Sequence, residues 1–134
     1  MSVATAAKIQ LLSEAPDFKE AVFKEIGDLS RDIALVDRLL VAIYFRPKMT
    51  RGGIRRPDTN VEEDAYQSKV GLILMIGSAA FHVDRYNPED IIQVGDYVLY
   101  RASDGFPASR NGVPCRILRD EQIMMKVSNP EEWF

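Results

Sequence analysis

Reactive side chains are scarce in this chain: its 134 residues include one cysteine (Cys115), one histidine (His82) and one tryptophan (Trp133). A lone cysteine excludes an internal disulfide and fits a reducing compartment. One histidine and one cysteine are too few for a structural zinc site. No glycine-rich phosphate-binding motif is present. No apolar run approaches the roughly 18–20 residues of a membrane span, and the start, MSVATAAKIQLLSEAPDF, lacks the long apolar core of a secretory signal. Positive charge is not in surplus either. With 17 Lys and Arg against 20 Asp and Glu the net charge is −3, so a dedicated nucleic-acid binder, which needs cations for phosphates, is not expected.

What remains is enough apolar residue, 46% of the chain, for one domain with its own core. Residues 1–31 read as an N-terminal helical arm. Asp17 and Glu20 have the spacing of a capping box, Pro16 precedes them and Gly27 stands near the end. Phe18, Val22, Ile26 and Leu29 recur at spacings of three and four, which makes one apolar stripe. Such a stripe must dock on something, and a partner protein is the expected acceptor. Residues 1–15 carry only scattered apolar groups (Ile9, Leu11, Leu12), so their order is expected to depend on that partner.

Residues 32–134 change character. Leu35 to Phe45 is a β-branched and aromatic run stopped by Pro47; Val70–Ile76, Tyr97–Tyr100, Val113–Leu118 and Gln122–Val127 are further strand-like runs. Asn111-Gly112 is a strong hairpin signal, because a type I′ turn needs positive φ at both central positions. Short strands between turn signals predict a mainly β fold, a small barrel. Alternate positions supply its expected core: Leu39, Val41, Ile43, Val70, Leu72, Leu74, Ile76, Val98, Tyr100, Ile117, Ile123 and Met125.

A long connection, 46–67, interrupts this pattern. It opens with Arg46, Lys48, Arg51, Arg55 and Arg56 around Gly52-Gly53, then reverses sign through Asp58, Glu62, Glu63 and Asp64. It reads either as a solvated, charge-balanced excursion or as a functional loop; at this length within a compact domain the functional reading is favoured. Its basic half could meet phosphate or the carboxylates of a neighbouring subunit. Without interleaved aromatics, protein pairing is favoured. The acidic half lacks the spacing of a calcium loop. Cys115 lies within a strand and reads as a small buried hydrophobe, His82 as a surface or hairpin group. Trp133-Phe134 either packs on its own domain or anchors an interface. No catalytic constellation emerges, and no cofactor or metal is expected.

From Leu35 onward the chain resembles the GroES co-chaperonin family. The residues that carry the likeness are Val36-Asp37-Arg38-Leu39-Leu40-Val41, Gly52-Gly53-Ile54, Lys69-Val70-Gly71 through Ile76-Gly77, Gln93-Val94-Gly95-Asp96 with Tyr97–Tyr100, and Asp104-Gly105. The resemblance implies a GroES-like β-barrel, a homo-oligomer, and docking on a chaperonin ring by an aliphatic tripeptide after Gly-Gly. That tripeptide position reads Ile54-Arg55-Arg56 here, followed by Pro57. One aliphatic anchor is kept, worth about 1.5–3 kcal/mol when buried, beside two arginines that resist burial without acidic partners. The pattern Glu62-Glu63-Asp64, Tyr66-Gln67, Lys69-Val70-Gly71, with Ser103-Asp104-Gly105 and Asn111 to Arg116, is similar to GroES-like proteins encoded by tailed bacteriophages. That likeness implies a capsid-associated cement or decoration subunit, found in the virion and made in the host cytoplasm. A cytoplasmic co-chaperonin is the alternative. In either case the expected contacts are with protein, a capsid protein or a chaperonin ring. The expected partner-binding residues are Arg51, Gly52, Gly53, Ile54, Arg55, Arg56, Phe18, Val22, Ile26, Trp133 and Phe134.

Overall fold

The structure, a computed structural model, describes residues 3–45 and 68–133. Two helices open the chain, α1 (Val3–Glu14) and α2 (Phe18–Ile26). Six strands follow: β1 (Arg38–Ile43), β2 (Val70–Ile76), β3 (Tyr97–Leu99), β4 (Phe106–Arg110), β5 (Val113–Arg119) and β6 (Met125–Val127). They form one antiparallel sheet in the order β4-β5-β1-β2-β3-β6. The chain is therefore mainly β, as its runs predict.

β2 sits near the middle of this order and carries no polar side chain, VGLILMI. Residues of a strand point alternately to opposite faces, so an all-apolar strand needs cover on both. The inner face supplies one cluster: Leu39 and Val41 of β1, Ile73 of β2, Val98 of β3, Leu118 of β5, and Tyr100. The sheet curls strongly enough that the Arg116 guanidinium of β5 lies 5.9 Å from the Tyr100 ring, although β1 and β2 separate β5 from β3 in the sheet order. The outer face carries a second cluster, in which Ala42, Ile43, Val70, Leu72, Leu74, Val113 and Cys115 meet Ile9, Leu12, Phe18, Val22 and Ile26 of the helices. The expected core thus divides between two faces. β1 contributes to both faces: Leu39 and Val41 lie in the inner cluster, while Leu40, Ala42 and Ile43 belong with the outer one. Ile73 and Leu118, passed over by strict alternation, are fully buried, and Met125 on the edge strand β6 is 47% exposed.

The N-terminal expectation needs correction. Residues 1–31 are not one arm waiting for a partner. Phe18, Val22 and Ile26 are buried on the chain's own sheet, and so are Ile9 and Leu12 of α1. The physical reason is the outer apolar face, invisible while β2 is read as a one-sided strand. α2 begins as its capping signal predicts: Asp17 accepts a hydrogen bond from the Glu20 N–H at 3.2 Å. Its end is closed from far away. The Asn111 side chain, in the β4–β5 turn, donates to the Ile26 carbonyl at 2.8 Å, satisfying one of the carbonyls a helix leaves unpaired. That turn has positive φ at both Asn111 and Gly112 (51° and 79°), as the Asn-Gly signal predicts. A Lys8–Glu25 ion pair joins the two helices.

Two outcomes follow. Ile26→Ala should destabilise the whole domain by about 2–5 kcal/mol, the range for truncating a buried isoleucine, measured by urea unfolding; a helix that merely decorates the sheet would show almost no loss. Tyr100 is 1% exposed and, among the described residues, its hydroxyl has no hydrogen-bond partner. Burial pushes its pKa from 10.0 to about 12. The folded state thus keeps a proton that the unfolded chain releases, so this contribution is intact below pH 10 and is lost from pH 10 towards 12. Tyr100→Phe should leave neutral-pH stability unchanged or raise it by up to about 1–3 kcal/mol, and should flatten the alkaline loss in pH-dependent unfolding.

Candidate functional site at the root of the long loop

The loop residues Arg51, Gly52, Gly53, Ile54, Arg55 and Arg56 lie outside the described residues, as does Phe134. The two ends of the loop are well defined. On the entry side Tyr44 and Phe45 follow β1, and on the exit side Ser68 precedes β2; all three are buried. The Tyr44 N–H donates to the Val70 carbonyl at 3.0 Å. The Ser68 hydroxyl donates to the Tyr44 carbonyl at 2.8 Å, which ties the outgoing chain to the returning one.

Aromatic rings hold this root in place. Phe18 of α2 stands edge-on to Tyr44 (5.0 Å between ring centres, 81°) and to Phe45 (6.2 Å, 78°). Tyr97 at the start of β3 completes the group, 5.9 Å from Tyr44 and also edge-on. Such T-shaped pairs put a positive ring edge against a negative face, and contribute about 0.5–1.5 kcal/mol each beyond area burial. The Lys19 ammonium lies 5.3 Å from the Tyr97 ring centre. Burial raises the Tyr44 pKa to about 12, with Glu131 adding to it, and raises Tyr97 further still. Both rings stay neutral at physiological pH. Phe18 therefore acts as a prop under the loop from within the chain; Val22 and Ile26 continue the same buried face. None of the three presents a free surface to a partner.

Sequence reasoning missed a second apolar feature. Beyond the helices the outer face of the sheet continues through Leu40, Met75 and Ile117, which are only partly buried. A groove of about 330 Å³ opens there beneath the segment from Leu29 to Leu35. Asp32 and Arg110 close its rim as an ion pair at 2.9 Å, and Arg110 also donates to the Asp28 carbonyl at 2.7 Å. Ile33, Leu35 and Val36 are 82%, 64% and 59% exposed. The apolar residues Ile33, Leu35 and Val36 stand in the sequence just before the expected core begins at Leu39, and nothing local marks them as exposed.

The arrangement is one of surfaces. Among the described residues no group of three or more His, Cys, Asp and Glu is placed to hold a metal ion, and no helix is long and apolar enough to cross a membrane. His82 is exposed, 3.3 Å from Asp84. Trp133 is 39% exposed. Cys115 is buried under the helices, and burial pushes its thiol from 9.0 up to about 12, far from the thiolate a nucleophile needs. The native protein should therefore resist thiol reagents at pH 8, with labelling that tracks global unfolding across a urea series. Rapid labelling without denaturant would contradict the burial of Cys115.

Comparison with known proteins agrees with this architecture. No curated protein matches the chain. The family model Cpn10, described as "Chaperonin 10 Kd subunit", matches residues 33–127, from the exposed segment after the helices to the end of β6. That stretch holds all six strands and the root of the loop, and the chain belongs to the chaperonin 10 kDa (GroES) family.

Proposed function

We propose that this protein is a non-catalytic, self-associating docking subunit of the co-chaperonin type, presenting its 46–67 loop to a chaperonin ring. The observation that carries this reading is the family match over 33–127, which includes the loop and both of its anchored ends. The aromatic root supports it. A loop held by Tyr44, Phe45, Ser68 and Phe18 at its base begins from fixed points, which lowers the ordering cost on binding. Ile54, after Gly52-Gly53, is the aliphatic anchor.

A second reading is favoured by one specific observation, the sequence Ile54-Arg55-Arg56-Pro57 where the family carries aliphatics. Here the loop pairs with carboxylates on a neighbour, and the protein is a capsid-associated cement or decoration subunit of a tailed bacteriophage. That reading also uses the N-terminal helices as a clamp on adjacent subunits. Phe18, Val22 and Ile26 are occupied by the chain's own sheet and do not serve as that clamp, and the family match gives the co-chaperonin reading precedence.

The experiment is a pull-down with a chaperonin ring, with and without ATP. The wild type should bind in a nucleotide-dependent way, and Ile54→Ala should weaken binding by more than about 1 kcal/mol, as expected for losing a buried aliphatic anchor. Replacing Arg55 and Arg56 by aliphatics should strengthen it. No nucleotide-dependent binding, together with loss of higher-order assembly in Arg51, Arg55 and Arg56→Glu variants, would favour the capsid reading instead.

A further inference from the structure

Asp120 is the most deeply buried carboxylate among the described residues, with no exposed surface at all. It follows β5, opens the short 3-10 turn 120–122, and its N–H donates to the Asp37 carbonyl at 3.0 Å. Its side chain turns towards the long segment between β2 and β3. One oxygen accepts the Phe81 N–H at 3.0 Å. Arg85 Nη2 donates to both oxygens, at 3.3 and 3.1 Å. An ionised group out of water persists only when paired and hydrogen-bonded, and all of the described side-chain partners of Asp120 come from this one segment.

The segment is otherwise loosely joined to the barrel. It leaves β2 through Gly77, whose N–H donates to the Arg38 carbonyl, and Ala79, whose N–H donates to the Val36 carbonyl, both at 2.8 Å. It rejoins at Gly95, whose N–H donates to the Ile73 carbonyl at 2.8 Å. Between Phe81 and Ile92, apart from the Arg85–Asp120 pair, the hydrogen bonds among described residues close on the segment itself. Arg85 and Tyr86 N–H groups donate to the His82 carbonyl, and the Asn87 side chain and carbonyl accept from Glu89 and Asp90. Phe81 and Tyr86 stack edge-on at 5.2 Å. Ala80, Phe81 and Ile92 lie over the inner cluster of Leu39, Val98, Tyr100 and Leu118, so the segment covers one mouth of the curled sheet.

Both anchor points are strained. Phe81 and Val36 have φ of 58° and 55°, the left-handed region that side chains rarely adopt, least of all β-branched ones. Such residues persist where their surroundings over-determine them, typically at clamps and switches. Val36 has little freedom to relax, because Gly77 packs so closely that a Cβ there would stand 2.4 Å from the Val36 carbonyl oxygen.

We propose that residues 78–91 form a strap across the mouth of the inner core, latched by the Asp120 carboxylate against backbone strain, and that the strap opens as a unit while the sheet stays folded. This inference goes beyond the docking function and does not depend on it. Opening withdraws Phe81 from the inner cluster and uncovers an apolar mouth between β1, β3 and β5.

Native-state hydrogen exchange read by mass spectrometry on the full chain tests it. In the wild type, amides of 82–91 should exchange faster than those of β1 and β2. Asp120→Asn keeps an acceptor for the Phe81 N–H but loses the charged pair. It should speed exchange in 78–91 by about tenfold or more, the scale expected for losing charge-assisted hydrogen bonds, with β1 and β2 unchanged. Should that variant fail to fold, Arg85→Met removes the strap's half of the latch from a half-exposed position and should give the same local change. Val36→Asn relieves the left-handed strain at an exposed site and should slow exchange in 78–91 severalfold. Equal acceleration of strap and sheet by Arg85→Met, or no slowing by Val36→Asn, would overturn the latch.

Discussion

Everything in this fold follows from a central strand that has no polar side to offer water. Val70–Ile76 lies between β1 and β3 and is apolar from end to end. Hydration of either face would forfeit about 25 cal/mol for each Å² left exposed. One face is covered by curling the sheet on itself, the other by two helices that the family match, beginning at residue 33, does not include. The helices are thus a structural answer to a sheet with two greasy faces. Their docking also supplies Phe18, the ring that fixes the root of the long loop. A requirement of burial in the middle of the sheet is thereby connected to the geometry of the loop's root.

Much of this was legible in the residues, for identifiable reasons. Asp17 and Glu20 announced the start of α2 because capping is local chemistry, settled within one turn. Asn111-Gly112 announced its hairpin because positive φ at two consecutive residues leaves few choices of side chain. Val70 to Ile76 was delimited correctly by its flanking glycine and by its own apolarity. The losses were non-local. Nothing within Phe18, Val22 and Ile26 says whether a stripe meets a partner or its own sheet. The division of the core between two faces depends on both sides of β1 and β2 being covered, which an alternation rule that assigns one buried face does not contain. β4 was passed over because Phe106-Pro107-Ala108-Ser109-Arg110 is an edge strand, where partial exposure and a proline blur the apolar pattern.

The site divides in the same way. Its basic, glycine-containing loop stands out in the sequence, since charge and turn residues are read without knowing the fold. The groove beneath Leu29 to Leu35 and the Asp28–Arg110–Asp32 clasp at its rim do not. They join a linker after α2 to the end of β4, and only the folded chain brings those together. Asp120 belongs to this second kind. In the sequence it is one acidic residue in a turn; in the structure it is the only fully inaccessible carboxylate among the described residues.

The hydrogen bond from Asn111 to the end of α2 also sets an order of events at the ribosome. Ile26 and Asn111 are 85 positions apart, and β5, one of the strands on which the helices rest, follows Asn111. Chains are made at about 5–20 residues per second, so the helices emerge roughly 4–17 s before their resting place is complete. During that interval Phe18, Val22 and Ile26 have only part of their sheet to cover, and nine residues of α2 are too few to hold a helix in water unaided. The helical segment is made before β5 and finishes folding only after it, with its apolar face partly accessible in the meantime.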